Sequence, residues 1–139
     1  MTPQNTPPSA QKVRLIHGAL AAGMVLFAVV AHFLLLPKAS PTDGLGSLLP
    51  VTITVSLALI AIAFVISTRV PRSSPGESTD AFWVRAAQIA LIAWSALEGA
   101  ALLAIVVYSH TGSTAELAVA IFVVAIFLLM NPGYFERRN

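Results

Sequence analysis

The sequence predicts an all-α membrane protein, a bundle of four transmembrane helices, and three observations lead there. Hydrophobic residues fill 57% of the 139 positions and charged residues only 10%, with a mean hydropathy of +0.83. A soluble domain of this size could not hide so much apolar surface, whereas a bilayer is its natural solvent. The apolar residues are also gathered into four runs, separated by short segments rich in Pro, Gly, Ser and charge. At about 1.5 Å per helical residue each run can cross a hydrocarbon core of about 30 Å, the fourth being near the short limit.

Residues 1–11, with three prolines and no apolar period, read as a disordered tail. The first span covers residues 12–36, and Pro37 stops it. Its apolar stretch from Leu15 to Leu36 exceeds the roughly 7–15 residues of a cleaved signal core, so it is expected to be a retained anchor. A loop with Pro41 and Asp43-Gly44 leads to the second span, 48–70, where Pro50 suits the first helical turn. Residues 71–80 form the longest polar linker, in which Ser78, Thr79 or Asp80 can cap the third span, 81–109. That helix is long enough that its ends project or it tilts. Thr111-Gly112 turns the chain, and Ser113-Thr114-Ala115-Glu116 matches a capping box that opens the fourth span, 115–131. Asn131-Pro132-Gly133 reads as a stop, leaving 132–139 as a tail.

Charge gives the expected orientation. Lys12, Arg14, Arg69, Arg72, Arg85, Arg137 and Arg138 flank one side, and of the eight Lys and Arg residues only Lys38 falls on the other. The positive-inside rule then places both termini and the 71–80 linker in the cytoplasm of an inner (plasma) membrane protein. Phe82, Trp83, Tyr134 and Phe135 are expected as a cytoplasmic aromatic belt, with Tyr108 near the outer interface. An offset of 71 residues places Val13-Arg14 on Val84-Arg85, Ala19-Leu20 on Ala90-Leu91, Ala22 on Ala93 and Leu26 on Leu97. Such a pattern is compatible with a duplicated helical hairpin.

Glu98 is the one chemically pointed residue, an ionisable side chain within Ala96-Leu97-Glu98-Gly99-Ala100. A charge at mid-bilayer costs roughly 2.5–3.5 kcal/mol on insertion scales, so it asks for a partner, a wet cavity or a proton. Along its own helix Glu98 reaches back over Trp94 and Ser95. It lies about two residues outward of the third span's midpoint, and depth matching makes Ser56 its best interhelical partner, with Thr54 next. Two readings follow. Glu98 is either a protonated hydrogen-bonding residue that joins helices, or an ion-binding group, with Ser56 and Ser95, that takes up a proton or cation reversibly.

Small residues mark packing faces. Gly18 with Ala22 and Ala19 with Gly23 form small-xxx-small pairs on the first helix, Gly99 stands beside the carboxylate, and Ala86, Ala90, Ala93, Ala96, Ala100 and Ala104 line the third. Internal packing is one use for them, a seam to another copy or another protein the other. His17, His32 and His110 are read as packing or interfacial residues, since His32 and His110 differ in depth by roughly 10 Å, too much for a bis-histidine haem. There is no cysteine and no HExxH, Walker or GxGxxG pattern, so no catalytic residue, cofactor or metal is assigned. With 14 charged residues, mostly at span ends, nucleic acid is not an expected partner.

The stretch Ala96-Leu97-Glu98-Gly99-Ala100 through Ile105-Val106-Val107-Tyr108, preceded by the loop holding Arg69, Pro71 and Arg72, resembles the carboxylate-bearing hairpin of ATP synthase c-subunit proteolipids. The likeness covers about 60 residues and departs from the family in two respects: 51–70 contains no glycine, where those proteins carry a glycine-repeat helix, and the polar loop is longer than theirs. What it implies is ion binding at Glu98. As a whole the chain is similar to uncharacterised small four-span bacterial membrane proteins with an Ala-Leu-x-Glu-Gly type third helix, which implies architecture only. The expected function is a small non-enzymatic component of a membrane assembly, self-associated or within a larger complex. The alternative is a proton- or cation-binding proteolipid using Glu98.

Overall fold

The computed structural model describes residues 9–35 and 48–137. Among them the chain is all helix: α1 (Ala10–Val30), which continues as a π-helical turn over Ala31–Leu35, then α2 (Leu48–Ser67), α3 (Thr79–Thr111), α4 (Thr114–Leu129) and α5 (Pro132–Glu136). Three helices are long and apolar enough to cross a membrane: α1 with its π turn at 26 residues, α2 at 20 and α3 at 33. These identify a membrane protein. Helix α4 is equally apolar but has 16 residues, roughly 24 Å.

Local chemistry sets the boundaries. α1 starts inside the segment expected to be a tail, because the Ser9 side chain accepts from the Lys12 amide and caps the first turn. α2 ends at Ser67 rather than at residue 70, where the Ser67 and Thr68 hydroxyls donate to the carbonyls of Phe64 and Val65 and the backbone tightens into turns closed by Arg69 and Val70. Ser78 caps α3 by accepting from Ala81, and Gly112, at φ 66°, supplies the left-handed residue that ends it. The fourth run stops at Leu129, and the tail expected from 132 onward instead folds into α5. Asn131 caps α5 by accepting from Tyr134, and Pro132 occupies its first turn. Pro37, Lys38, Pro41, Asp43-Gly44, the first eight residues and Arg138 lie outside the described residues.

Helix α3 is the centre of the molecule and packs against α1, α2 and α4. Its buried face carries Ala86, Ala90, Ala93, Ala100 and Ala104, each fully enclosed, so the neighbouring backbones approach closely there. α1 runs parallel to α3. At one end the Ala10 amide donates to Asp80 Oδ1 at 2.8 Å, and at the other His32 Nδ1 meets Tyr108 Oη at 2.6 Å. Arg14 reaches Glu136 of α5 at 2.9 Å. The start of α1, the start of α3 and α5 therefore share one end of the bundle, called here the α5 end. The 112–113 turn marks the opposite end.

Candidate functional site

Glu98 projects from α3 only partly buried, and among the described residues no hydrogen bond or ion pair reaches it. None of the residues expected around it is hydrogen-bonded to it. Ser95 is exposed, Thr54 is exposed and donates to the Pro50 carbonyl, and Ser56 is buried at 1% exposure with its hydroxyl unpartnered. Gly99 is exposed, and a Cβ built on it would meet nothing within 4 Å. On α1, Gly18, Ala22 and Gly23 are exposed as well, with open space beside both glycines. These four small residues therefore do not pack inside the chain; only the alanine face of α3 does so. Two unpartnered helix faces result, one on α1 with Gly18, Ala22 and Gly23, the other on α3 with Ser95, Glu98 and Gly99.

The depth of Glu98 is fixed by its neighbour one turn back. Trp94 is fully buried, and its indole N–H donates to the Met130 carbonyl at 2.7 Å. Met130 is the C-cap of α4. Glu98 thus lies about one helical turn nearer the 112–113 turn than the level at which α4 ends, and past the midpoint of Thr79–Thr111 in the direction the sequence reading expected.

The α5 end is built from orphaned helix carbonyls and aromatic rings. The last carbonyls of a helix have no partner of their own. Here His17 serves Phe127 at 3.2 Å, Trp94 serves Met130, and Asn131 Nδ2 serves Leu128 at 3.1 Å. A carbonyl only accepts, so His17 carries a proton on Nε2. The His17 ring stacks on Phe127 with centroids 4.5 Å apart and meets Trp94 edge-on at 4.8 Å. Next to this layer, Phe135 of α5 inserts beside Trp83 and Trp94. The Glu136 carboxylate accepts from Trp83 Nε1 at 2.9 Å and from Arg14 through both oxygens. Phe82, Trp83 and Phe135 are 1% exposed or less, an internal cluster and not the aromatic belt that composition suggested. Asn131-Pro132, which the sequence presents as a stop, is here the start of α5, because a capping Asn followed by Pro suits a first helical turn as well as it ends the preceding helix.

Glu116 departs from the sequence expectation too. Ser113 Oγ accepts from Ala115 at 3.3 Å, but the Ser113 amide is taken by Thr111 Oγ1 at 3.2 Å, so the reciprocal half of the capping box does not form. Glu116 is 2% exposed, and one carboxylate oxygen is enclosed without a hydrogen-bond partner. In the α2–α3 connection Glu77 forms a two-oxygen pair with Arg85, Nη2 to Oε1 at 2.6 Å, and accepts from the Ser74 amide at 3.0 Å. The Ser74 amide and then the Arg85 guanidinium hold its carboxyl below the usual range. No group of three or more His, Asp or Glu residues among those described could hold a metal.

Compared with known proteins, the chain matches no family model, no curated protein and no solved structure.

Proposed function

We propose that this chain is a non-enzymatic component of a membrane assembly: a four-span inner-membrane protein, both ends cytoplasmic, that docks another transmembrane helix on the open face of α3. One observation carries the reading. Glu98, at membrane depth, has no partner within the described chain, and it stands on an uncovered face between exposed Ser95 and Gly99. A polar group against lipid is expensive, and one donor from a neighbouring helix removes much of that cost. Beside it Gly99 lacks a side chain and has free space around it, so a second backbone can approach. The exposed Gly18, Ala22 and Gly23 offer a similar approach on α1.

The test is in-membrane cross-linking from cysteines placed at Ile92 and Val106, which flank the carboxyl on the exposed face of α3. Cross-links to a second copy or a co-purifying protein are expected in the parent, reduced about tenfold in Gly99→Leu and several-fold in Glu98→Ala. A monomer that cross-links to nothing in native membranes would overturn the reading. The same unpartnered carboxyl favours a second reading, reversible proton or cation binding at Glu98 on the pattern of the proteolipids. Modification of Glu98 by a hydrophobic carbodiimide, together with loss of membrane proton flux in Glu98→Gln, would select it.

A further inference from the structure

We infer that the groove between α1 and α4 is a binding site for one acyl chain of a glycerophospholipid, whose ester carbonyl accepts a hydrogen bond from His32 Nε2. The groove holds about 320 Å³, at the lower end of the roughly 300–1,000 Å³ typical of small-molecule sites. Its walls are apolar, among them Met24, Ala28, Ala120 and Val124, and His32 is the one polar residue that lines it. Val25, Val29 and Ile121 at its rim are 53%, 47% and 62% exposed, so it opens at the side of the bundle, where lipid lies in a membrane.

The donor is built, and its direction follows from the hydrogen bond behind it. Tyr108 is 3% exposed and its Oη lies 2.6 Å from His32 Nδ1, its one hydrogen-bond partner among the described residues. Among the described residues the phenol proton has no other acceptor, so we assign Tyr108 as donor to Nδ1 and the His32 proton to Nε2. That N–H has no acceptor among the described residues. The imidazole is held in place, parallel to Tyr108 within 5° and edge-on to Phe33. The π-helical turn that carries His32 departs from the 3.6-residue period of α1.

Depth selects the ligand. From His32 and Leu117 to Met24 and Val124 the groove runs seven to eight residues along the helices, roughly 10–12 Å. His32 is three residues from the end of the described first helix, and Leu117 is in the first turn of α4, so the donor lies at the helix ends and the apolar floor runs toward mid-bilayer. A glycerophospholipid offers this order of groups: an ester carbonyl at the interface and a hydrocarbon chain below it. The site is on the α1–α4 side and does not depend on Glu98.

The test is native mass spectrometry of the full chain released from nanodiscs of diacyl phosphatidylethanolamine mixed with its dialkyl-ether analogue, which has the same chains without ester carbonyls. One retained lipid per chain is expected, with the diacyl form favoured about fivefold. In His32→Phe that preference should fall to about one. In Val29→Trp, which fills the groove from an exposed position and leaves the core alone, lipid retention should drop about tenfold. Equal retention of ester and ether lipids by the parent, or undiminished retention in Val29→Trp, would overturn the assignment. So would displacement of the lipid by a stoichiometric amount of ubiquinone added to the nanodiscs.

Discussion

Trp94 shows how much one side chain decides. Its indole closes the end of α4 by donating to the Met130 carbonyl at 2.7 Å, and it forms the edge-on partner of His17. Trp94→Phe keeps most of the apolar volume and strands a buried acceptor, which typically costs about 1–3 kcal/mol. The expected result is a loss of that size in denaturant unfolding in detergent micelles, with Trp83 as the remaining fluorophore. A residue-level reading of the sequence could name Trp94 as a neighbour of Glu98 but not as a cap, because the carbonyl it serves becomes free only where α4 stops. Glu116 was hidden for a related reason. Its spacing from Ser113 satisfies a capping box, yet Thr111 competes for the same amide and leaves the carboxylate turned inward. Glu98 was legible as the residue to examine, and its cage was not, since depth matching of Ser56 fixes height along the bundle and leaves the direction of each side chain open.

At the scale of elements, the α2–α3 connection is held by charge. Glu77 is tied to the Ser74 amide and the Arg85 guanidinium, and its carboxyl is held below its ordinary value of 4.5. A depressed carboxyl contributes order that is fully present above the ordinary value and fades as pH falls through the lowered one. Protection of the 71–78 amides, relative to the intrinsic exchange rate at each pH, is therefore expected to hold from neutrality down to about 4.5 and to fall below it. Arg85→Ala should lower that protection at neutral pH and shrink its fall on acidification, and exchange measured by mass spectrometry between pH 3 and 7 checks both. The four apolar runs were readable as helices because long hydrophobic periods dominate the local signal. Their ends were less so: hydroxyl bonds shorten α2, Ser9 lengthens α1, and α5 is stabilised by tertiary contacts of Phe135 and Glu136 that no five-residue window contains.

For the molecule as a whole, the contacts of Arg14 with Glu136 and of Ala10 with Asp80 draw the start of α1, the start of α3 and α5 to one end. Cysteines introduced at Ser9 and Arg137 are expected to react with a membrane-impermeant maleimide from the same face of sealed vesicles, the cytoplasmic one on the charge argument. Opposite accessibility of the two would remove the four-span topology. The all-helical class was legible because the bilayer restricts the alternatives so severely, whereas the central position of α3 emerged only from which alanines are enclosed. The short fourth helix has a consequence of its own. α4 provides roughly 24 Å of apolar length against about 30 Å of hydrocarbon, while α3 beside it has 33 residues. In the proposed four-span arrangement, lipids on the α4 side thin toward the Asn131–Pro132 junction while those on the α3 side need not. The protein is then a wedge in thickness, and a cluster of copies would settle where the membrane is already thin, each mismatched ångström contributing a fraction of a kcal/mol to that sorting.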